Sequence, residues 1–325
     1  MDKIRIVETA SYVPNKTVSN DDLSKLMDTS DNWITTRTGI KRRHISVGEN
    51  TSDLCTTVAK RLLQKGGWSP GSIDLIIVAT MSPDSYTPAT AAIVQGNIDA
   101  INAFCFDVSA ACSGFVYGME AAARFLAKKD VKRVMLIGGE VLSKVIDWTD
   151  RATAVLFGDG AAGVLLESSR QGNSGILASC LKTYGEKHDK LTAGVTMPLS
   201  EFPPLTRSTI SPFAMDGREV YKFATHAVPA SILQACRQAQ LEPEDIDLFV
   251  LHQANARIVK AIAKRMKQPL AKFPLNISEY GNTSAASEPL LLDELVKTNQ
   301  LKRGQKVVLS GFGGGLTVGT QIIVF

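Results

Sequence analysis

Nowhere in this chain do about 18 apolar residues run together, so no membrane-spanning helix is expected. The N-terminal MDKIRIVETASYVP lacks the apolar core of a signal peptide and reads as a strand. Cysteine is scarce: Cys55, Cys105, Cys112, Cys180 and Cys236 are dispersed, odd in number and form no CxxC pair. That excludes a disulfide framework as the natural reading, assigns no metal site, and fits a reducing cytoplasm. Excess charge is scarce too, since a net +4 over 325 residues is too weak to imply nucleic acid. No segment is low in complexity, and a chain of this length buries a substantial core without staples.

What the chain does contain is a repeat. SIDLIIVA, from Ser72, is echoed by DIDLFVLH, from Asp245, so that Leu75 recurs as Leu248, 173 positions on. RVMLIGG from Arg133 meets KVVLSGF from Lys306 at the same step of 173. Two matches at one spacing imply an internal duplication, with halves of 1–170 and 171–325.

Apolar runs at Leu75–Ala79, Ala103–Val108 and Val134–Ile137 read as buried strands. Helical patterns lie between them at Ala89–Ile98 and Ser113–Ala127, the latter with Phe115, Met119, Ala122 and Leu126 on one face. The second half repeats the scheme: helices at Glu219–Gln238, Ala254–Met266 and Ser284–Lys297, strands at Leu248–Leu251 and Val307–Leu309, and a last strand in LTVGTQIIVF. Alternating strands and helices predict an α/β fold with a mostly parallel sheet. Ala161–Thr183 reads as a hairpin closing the first half, and Lys187–Phe213 as a long polar excursion that covers something or simply loops over the surface.

The reactive-looking groups divide between the halves. FDVSAACSGF puts Cys112 among small residues where a strand ends and a helix begins. A thiol there meets the positive end of a helix dipole, which favours thiolate. Free cysteine is often only a small buried hydrophobe, and Cys55, Cys105, Cys180 and Cys236 keep that reading. His252 ends the strand DLFVLH, where open α/β sheets collect ligands, although a histidine satisfied at a strand end is as good an account. Asn282, in YGNTSAAS, reads by itself as a helix N-cap. GFGGGLTVG, from Gly311, could make a turn whose N–H groups face an oxyanion; strand packing explains the glycines equally well.

Together CSG at Cys112, HQAN at His252, GNTSA at Gly281 and GFGGG near the end closely resemble the β-ketoacyl-acyl-carrier-protein synthase III enzymes, thiolase-like condensing enzymes. The resemblance runs essentially end to end. It implies a thiolase-like fold of duplicated βαβ halves in a five-layered αβαβα sandwich, and a homodimer. It implies decarboxylative Claisen condensation of a short acyl-CoA with malonyl-acyl carrier protein, starting fatty acid biosynthesis, with acyl-CoA as substrate and no cofactor. Cys112 matches the acylated nucleophile, His252 and Asn282 the pair that binds the malonyl thioester carbonyl, and the N–H groups of Cys112 and Gly314 the other oxyanion hole. Trp33 and Arg151 match positions that sandwich the adenine of CoA; Arg37, Thr38, Tyr221 and Asn255 match other CoA contacts. Lys222, Arg257, Lys260, Lys264 and Arg265 match a basic carrier-docking surface, and Thr87, Leu142 and Phe157 the acyl pocket.

The sequence departs from that pattern at three places. Glu288 stands where an aliphatic residue is usual, and a buried unpaired carboxylate there is costly. Tyr221 stands for a common phenylalanine. Thr87 replaces a phenylalanine that in the family crosses the dimer to close the partner's acyl pocket, which predicts a deeper pocket here. A degradative thiolase would want a second cysteine among Gly313–Gly315 and finds none. A hydroxymethylglutaryl-CoA-type synthase with Glu140 or Glu288 as base, a cysteine hydrolase and a non-catalytic acyl-binding protein on the same fold remain the competing readings.

Overall fold

The computed structural model describes residues 4–168, 175–199 and 210–325. The first half forms a five-stranded sheet from β1 (Ile4–Tyr12), β2 (Leu75–Ala79), β3 (Phe104–Val108), β4 (Arg133–Glu140) and β5 (Gly160–Ser168), in the order β1-β5-β4-β2-β3. The second half forms a four-stranded sheet from β6 (Gly175–Thr183), β7 (Leu248–Leu251), β8 (Lys306–Gly313) and β9 (Thr317–Val324), in the order β7-β8-β9-β6. β4-β2-β3 and β7-β8 pair parallel, and the remaining neighbours antiparallel.

The main helices are α1 (Asp31–Thr38), α2 (Thr51–Gly66), α3 (Thr90–Asn97), α4 (Gly114–Leu126), α5 (Gly217–Ala239), α6 (Ala256–Arg265) and α7 (Ser287–Lys297). α2 and α3 pack on the first sheet alone, and α5 packs on the second, with α6 against it. α4 and α7 touch both sheets and make the middle layer. The burial pattern follows. α2 buries one stripe, Leu54, Cys55, Val58, Ala59, Leu62 and Leu63. α7, clasped from both sides, is buried over Ser287–Asp293 without a break. The central core accordingly mixes the halves: Leu75, Phe115 and Leu136 share one cluster with Val250, Leu291 and Leu309. Two more clusters fill the spaces under the outer helices. Five layers result.

The hairpin expected over Ala161–Thr183 is not formed. β5 pairs with β1 and β4, whereas β6 pairs with β9 in the other sheet. Both strands are apolar enough for burial, and each finds its partner outside the local segment; the connecting residues 169–174 lie outside the described set. Of the excursion, 200–209 likewise lies outside it. Leu191, near its start, pairs with Met215, just past its end.

Among the described residues no helix is long and apolar enough to cross a membrane.

Candidate active site

β3 ends at Val108, and the chain turns through a single 3-10 turn, Ala111–Ser113, into α4. Ala111 takes φ +46°, a left-handed conformation uncommon outside glycine. Ser113 Oγ donates to the Ala110 carbonyl at 2.7 Å and shares a 2.6 Å hydrogen bond with Thr317 Oγ1. The second bond ties the turn to the opposite half. Cys112 therefore sits on a tight elbow at the start of the central helix α4.

β8 runs behind it, and the glycines there have a steric reason. A Cβ on Gly313 would lie 2.9 Å from Cys112 Cβ and 3.1 Å from its Sγ. One on Gly311 would lie 2.7 Å from Ser113 Cα and 2.9 Å from the Cys112 carbonyl oxygen. Because side chains alternate along a strand, Phe312 points to the other face, where its ring meets His252 edge-on at 5.1 Å. Gly311–Gly313 thus belong to the strand itself, and the turn starts only at Gly314. Gly314 faces Ala111 and Leu191.

His252 follows β7, its N–H donating to the Ser310 carbonyl at 2.9 Å. Asn282 precedes α7. Its N–H donates to Leu156 O at 2.9 Å, and its carbonyl accepts from Gly158 N–H at 3.0 Å, so a first-half segment holds it. Asn282 Oδ1 accepts from Ser284 N–H at 2.9 Å, which leaves the Nδ2 donor free to point elsewhere. The cap role expected for Asn282 is not taken up: Thr283 and Ala286 stand at the caps that follow, and the Asn282 oxygen closes a local turn onto Ser284 without occupying the amide nitrogen.

Cys112, His252 and Asn282 line one cavity of about 160 Å³ together with Leu156, Phe157, Leu191, Phe213, Met215, Val220, Tyr221, Asn255, Ile258, Phe312 and Gly313. The walls are mostly apolar, and the three polar side chains are at most 6% exposed. Burial sets their charge. It pushes the Cys112 thiol up to about 12, with Glu140 and Glu288 adding to the rise. The Ser284 hydroxyl, close by yet outside hydrogen-bond geometry, works against that rise. Burial and the two carboxyls thus oppose the thiolate that the helix start favours. Burial also pushes His252 down to about 3, so its imidazole is neutral; Nδ1 has no hydrogen-bond partner among the described residues. A thiol, a neutral imidazole and a carboxamide around one dry cavity can form a thioester and donate hydrogen bonds to an enolate oxygen.

Asn255, on the cavity wall, is tied to the segment that carries Trp33. Asn255 caps α6, accepting from Arg257 N–H at 2.8 Å, and donates from Nδ2 to the Arg37 carbonyl at 3.0 Å. The guanidinium carbons of Arg37 and Arg151 lie 4.6 and 4.8 Å from the Trp33 ring centroid. Arg151 is further held by the Asp28 carbonyl at 2.6 Å. The slot expected between Trp33 and Arg151 is thus closed by cation–π stacking. Thr38 is buried, its hydroxyl donating to Ile34 O at 2.7 Å and accepting from Ile40 N–H at 3.0 Å, so it does not face a ligand. Lys222, Arg257, Lys260, Lys264 and Arg265 are all exposed. Phe157 lines the cavity, whereas Leu142 packs behind it in a cluster with Phe157 and Phe213. Thr87 is exposed and does not border this chain's cavity.

Sequence reasoning missed the wall residues Leu191 and Phe213, toward the two ends of the excursion, and Met215 just past it; only their apolar character beside a polar stretch marked them. It also missed Arg43. That side chain is wholly buried, donates to Val155 O and Asn20 Oδ1 at 2.8 Å each, and packs beside Gly158 and Gly281, behind Asn282.

Comparison with known proteins identifies the family. Residues 106–185 match the family profile described as 3-oxoacyl-[acyl-carrier-protein] synthase III, and residues 236–325 match its C-terminal profile. A β-ketoacyl-[acyl-carrier-protein] synthase III of Limosilactobacillus reuteri is 55% identical over 99% of both chains. One from Clostridium acetobutylicum is 46% identical, again over 99% of each. The crystal structure of 3-oxoacyl-[acyl-carrier-protein] synthase III from Aquifex aeolicus superposes with a TM-score of 0.92 at 39% identity, covering 99% of this chain and 100% of that one. With full-length likeness in sequence and in thiolase-like architecture, this chain belongs to the 3-oxoacyl-[acyl-carrier-protein] synthase III family.

Proposed function

We propose that the chain is a cytoplasmic, homodimeric condensing acyltransferase that joins a short acyl-CoA to malonyl-acyl carrier protein, opening fatty acid synthesis through an acyl-Cys112 intermediate. The observation that carries this reading is the shared dry cavity of Cys112, His252 and Asn282, contributed by two halves of the chain. Cys112 sulfur attacks the acyl-CoA carbonyl, and free CoA thiol leaves with the proton. The N–H groups of Cys112 and Gly314 hold the oxyanion as it forms. Positioned at the start of α4, the sulfur gains its negative charge where the helix dipole supports it.

Malonyl thioester then enters with its carbonyl oxygen toward His252 and Asn282. Neutral His252, with its proton on Nε2, and Asn282 Nδ2 donate to that oxygen. Loss of carbon dioxide leaves an enolate they stabilise, its carbon attacks the acyl thioester, and Cys112 leaves and recovers a proton. A neutral imidazole suits this role, because the donor must be ready without first capturing a proton.

Trp33, Arg37 and Arg151 form the nucleotide site at the mouth, where an incoming adenine moves the Arg151 guanidinium aside. Asn255 and Tyr221 border the pantetheine path. Thr38 supports the end of α1 rather than meeting CoA. Exposed Arg257, Lys260, Lys264 and Arg265 on α6, with Lys222 on α5, offer an acidic carrier protein opposite charge beside the mouth. Phe157 and Leu142 form the acyl end, which Thr87 of the partner subunit leaves deep.

The test is a primer panel. Acyl-CoAs of different length and branching should each be scored for mass gain on the Cys112 peptide, then for β-ketoacyl product after malonyl-carrier protein is added. Condensation that depends on the second substrate supports the proposal. Labelling followed by free acid without malonyl-carrier protein identifies a cysteine hydrolase instead. Thr87→Phe should shorten the accepted primers; an unchanged profile removes Thr87 from the acyl pocket.

A further inference from the structure

Glu288 is a buried carboxyl group that the reaction above does not use. It lies in the first turn of α7, is 0% exposed, and neither side-chain oxygen has a hydrogen-bond partner among the described residues. Buried polar groups are normally bonded, so two orphan oxygens on one carboxyl need a reason. Its place is specific. Glu288 Oε1, the Cys112 carbonyl oxygen and Ser113 Cα all crowd the one space that a Cβ on Gly311 would fill. The carboxyl and the nucleophile's backbone are thus neighbours beside a single glycine.

The duplication provides an internal control. Stepping back by the 173-residue repeat, Glu288 corresponds to Phe115, which is wholly buried in the central core. The fold therefore accepts an apolar side chain at this place in α4, while α7 carries an ionisable one.

Of the titratable groups on the elements around Glu288, the buried ones are few. Cys112 lies on the turn before α4. Glu140 ends β4, but its oxygens already accept from Thr80 Oγ1, Met81 N–H, Ser82 N–H and Ser82 Oγ. His252 follows β7 and is neutral. Farther along α7, Asp293 is engaged by Thr9, Ser11, Lys65 and Lys297. Among the described residues no cation pairs with Glu288.

We propose that Glu288 is a positioning residue that acts on Cys112 through charge: the two groups compete for one negative charge beside Gly311. Two anions in one buried, low-dielectric region disfavour each other, so their titrations are coupled. The directions agree: burial holds the Glu288 carboxyl well above the usual carboxylate range, and Glu288 contributes to the rise of the Cys112 thiol. The carboxyl keeps Cys112 in its thiol form until an acyl donor is bound. Once the sulfur is acylated the competition ends. No proton need pass between the two groups.

The inference rests on Cys112 as nucleophile, and the test separates the two claims. The pH dependence of Cys112 alkylation by iodoacetamide is followed by peptide mass in the wild type, Glu288→Gln and Glu288→Ile, after circular dichroism has verified the fold. Removing the competitor should lower the alkylation midpoint in both variants by about one pH unit or more, making alkylation about tenfold faster at a fixed pH below it. A midpoint that stays or rises in the folded variants overturns the proposal, since a merely structural residue would change stability without moving the thiol titration. Condensation assayed on the same samples reports independently on the role of Cys112.

Discussion

The two halves of this molecule share one plan and diverge at the segments that enter the active site. Shifted by 173 residues, β2 becomes β7, β4 becomes β8, and α4 becomes α7. The correspondence extends to strained backbone: Ala111 and Ser284 occupy equivalent positions with φ +46° and +48°. It extends to packing across the seam as well. Gly311 lies against the backbone of Cys112, and its counterpart Gly138 lies against the backbone of Ala285, the counterpart of Cys112. The departure comes where β3 would recur. In the second half those positions form a one-turn helix, Ile277–Tyr280, outside the sheet. The first half's version keeps a strand that delivers a sulfur to the seam. The second half's version leaves the sheet, and Asn282 bridges to Phe157 instead. Equivalent turns thus carry different chemistry because one is held by its own sheet and the other by its neighbour's loop.

Cys112→Ala should abolish condensation, a loss of more than about a thousandfold by analogy with other nucleophile deletions. Adding Ala285→Cys to it should restore nothing, since Ala285 packs against Gly138 and does not line the cavity. Product formation by the double variant would mean the two turns are chemically interchangeable.

His252→Ala and Asn282→Ala should each slow malonyl decarboxylation by about a hundredfold to a thousandfold, the range for one lost oxyanion donor. Acylation of Cys112, measured by peptide mass, should fall far less in both. Equal losses in the two steps would contradict the division of labour between the halves.

The pH profile of decarboxylation should show no limb near 6.5, because His252 titrates at about 3 in the folded protein. A limb there would show that the imidazole is wetter than its burial implies.

The smallest effect is on stability. The folded state holds the Glu288 proton above its ordinary value of 4.5, so between those two values the unfolded chain binds fewer protons. Stability is then lost as pH rises through that window. Glu288→Ile should raise Tm by several degrees at pH 8, consistent with about 1–3 kcal/mol for an unsatisfied buried group. The gain should shrink as pH approaches 4.5; a gain that is constant with pH would point to packing alone.

Much of the architecture was legible because it is written as local periodicity. Leu75–Ala79 and Leu248–Leu251 are apolar runs bounded by polar residues, and the structure keeps those bounds. The helix at α2 was not singled out in the sequence, although Asn50 caps it with Asp53 in a reciprocal box that was there to be read. The false hairpin over Ala161–Thr183 has the opposite cause: nearness in sequence suggested pairing, while β6 had better partners in the other sheet. Within the site, motif likeness marked Cys112, His252 and Asn282, but not the walls contributed by Leu191, Phe213 and Met215.

By itself the sequence determined the duplication, the alternation of strands and helices, and which side chains carry reactive atoms. Those follow from residue identity and from spacing along one chain. The tertiary structure alone decided the charge states. Whether Cys112 is thiol or thiolate, His252 neutral or charged, and Glu288 paired or alone depends on how much water and which neighbours each retains. Both are set by elements more than a hundred residues apart that meet only when the two sheets close on α4 and α7.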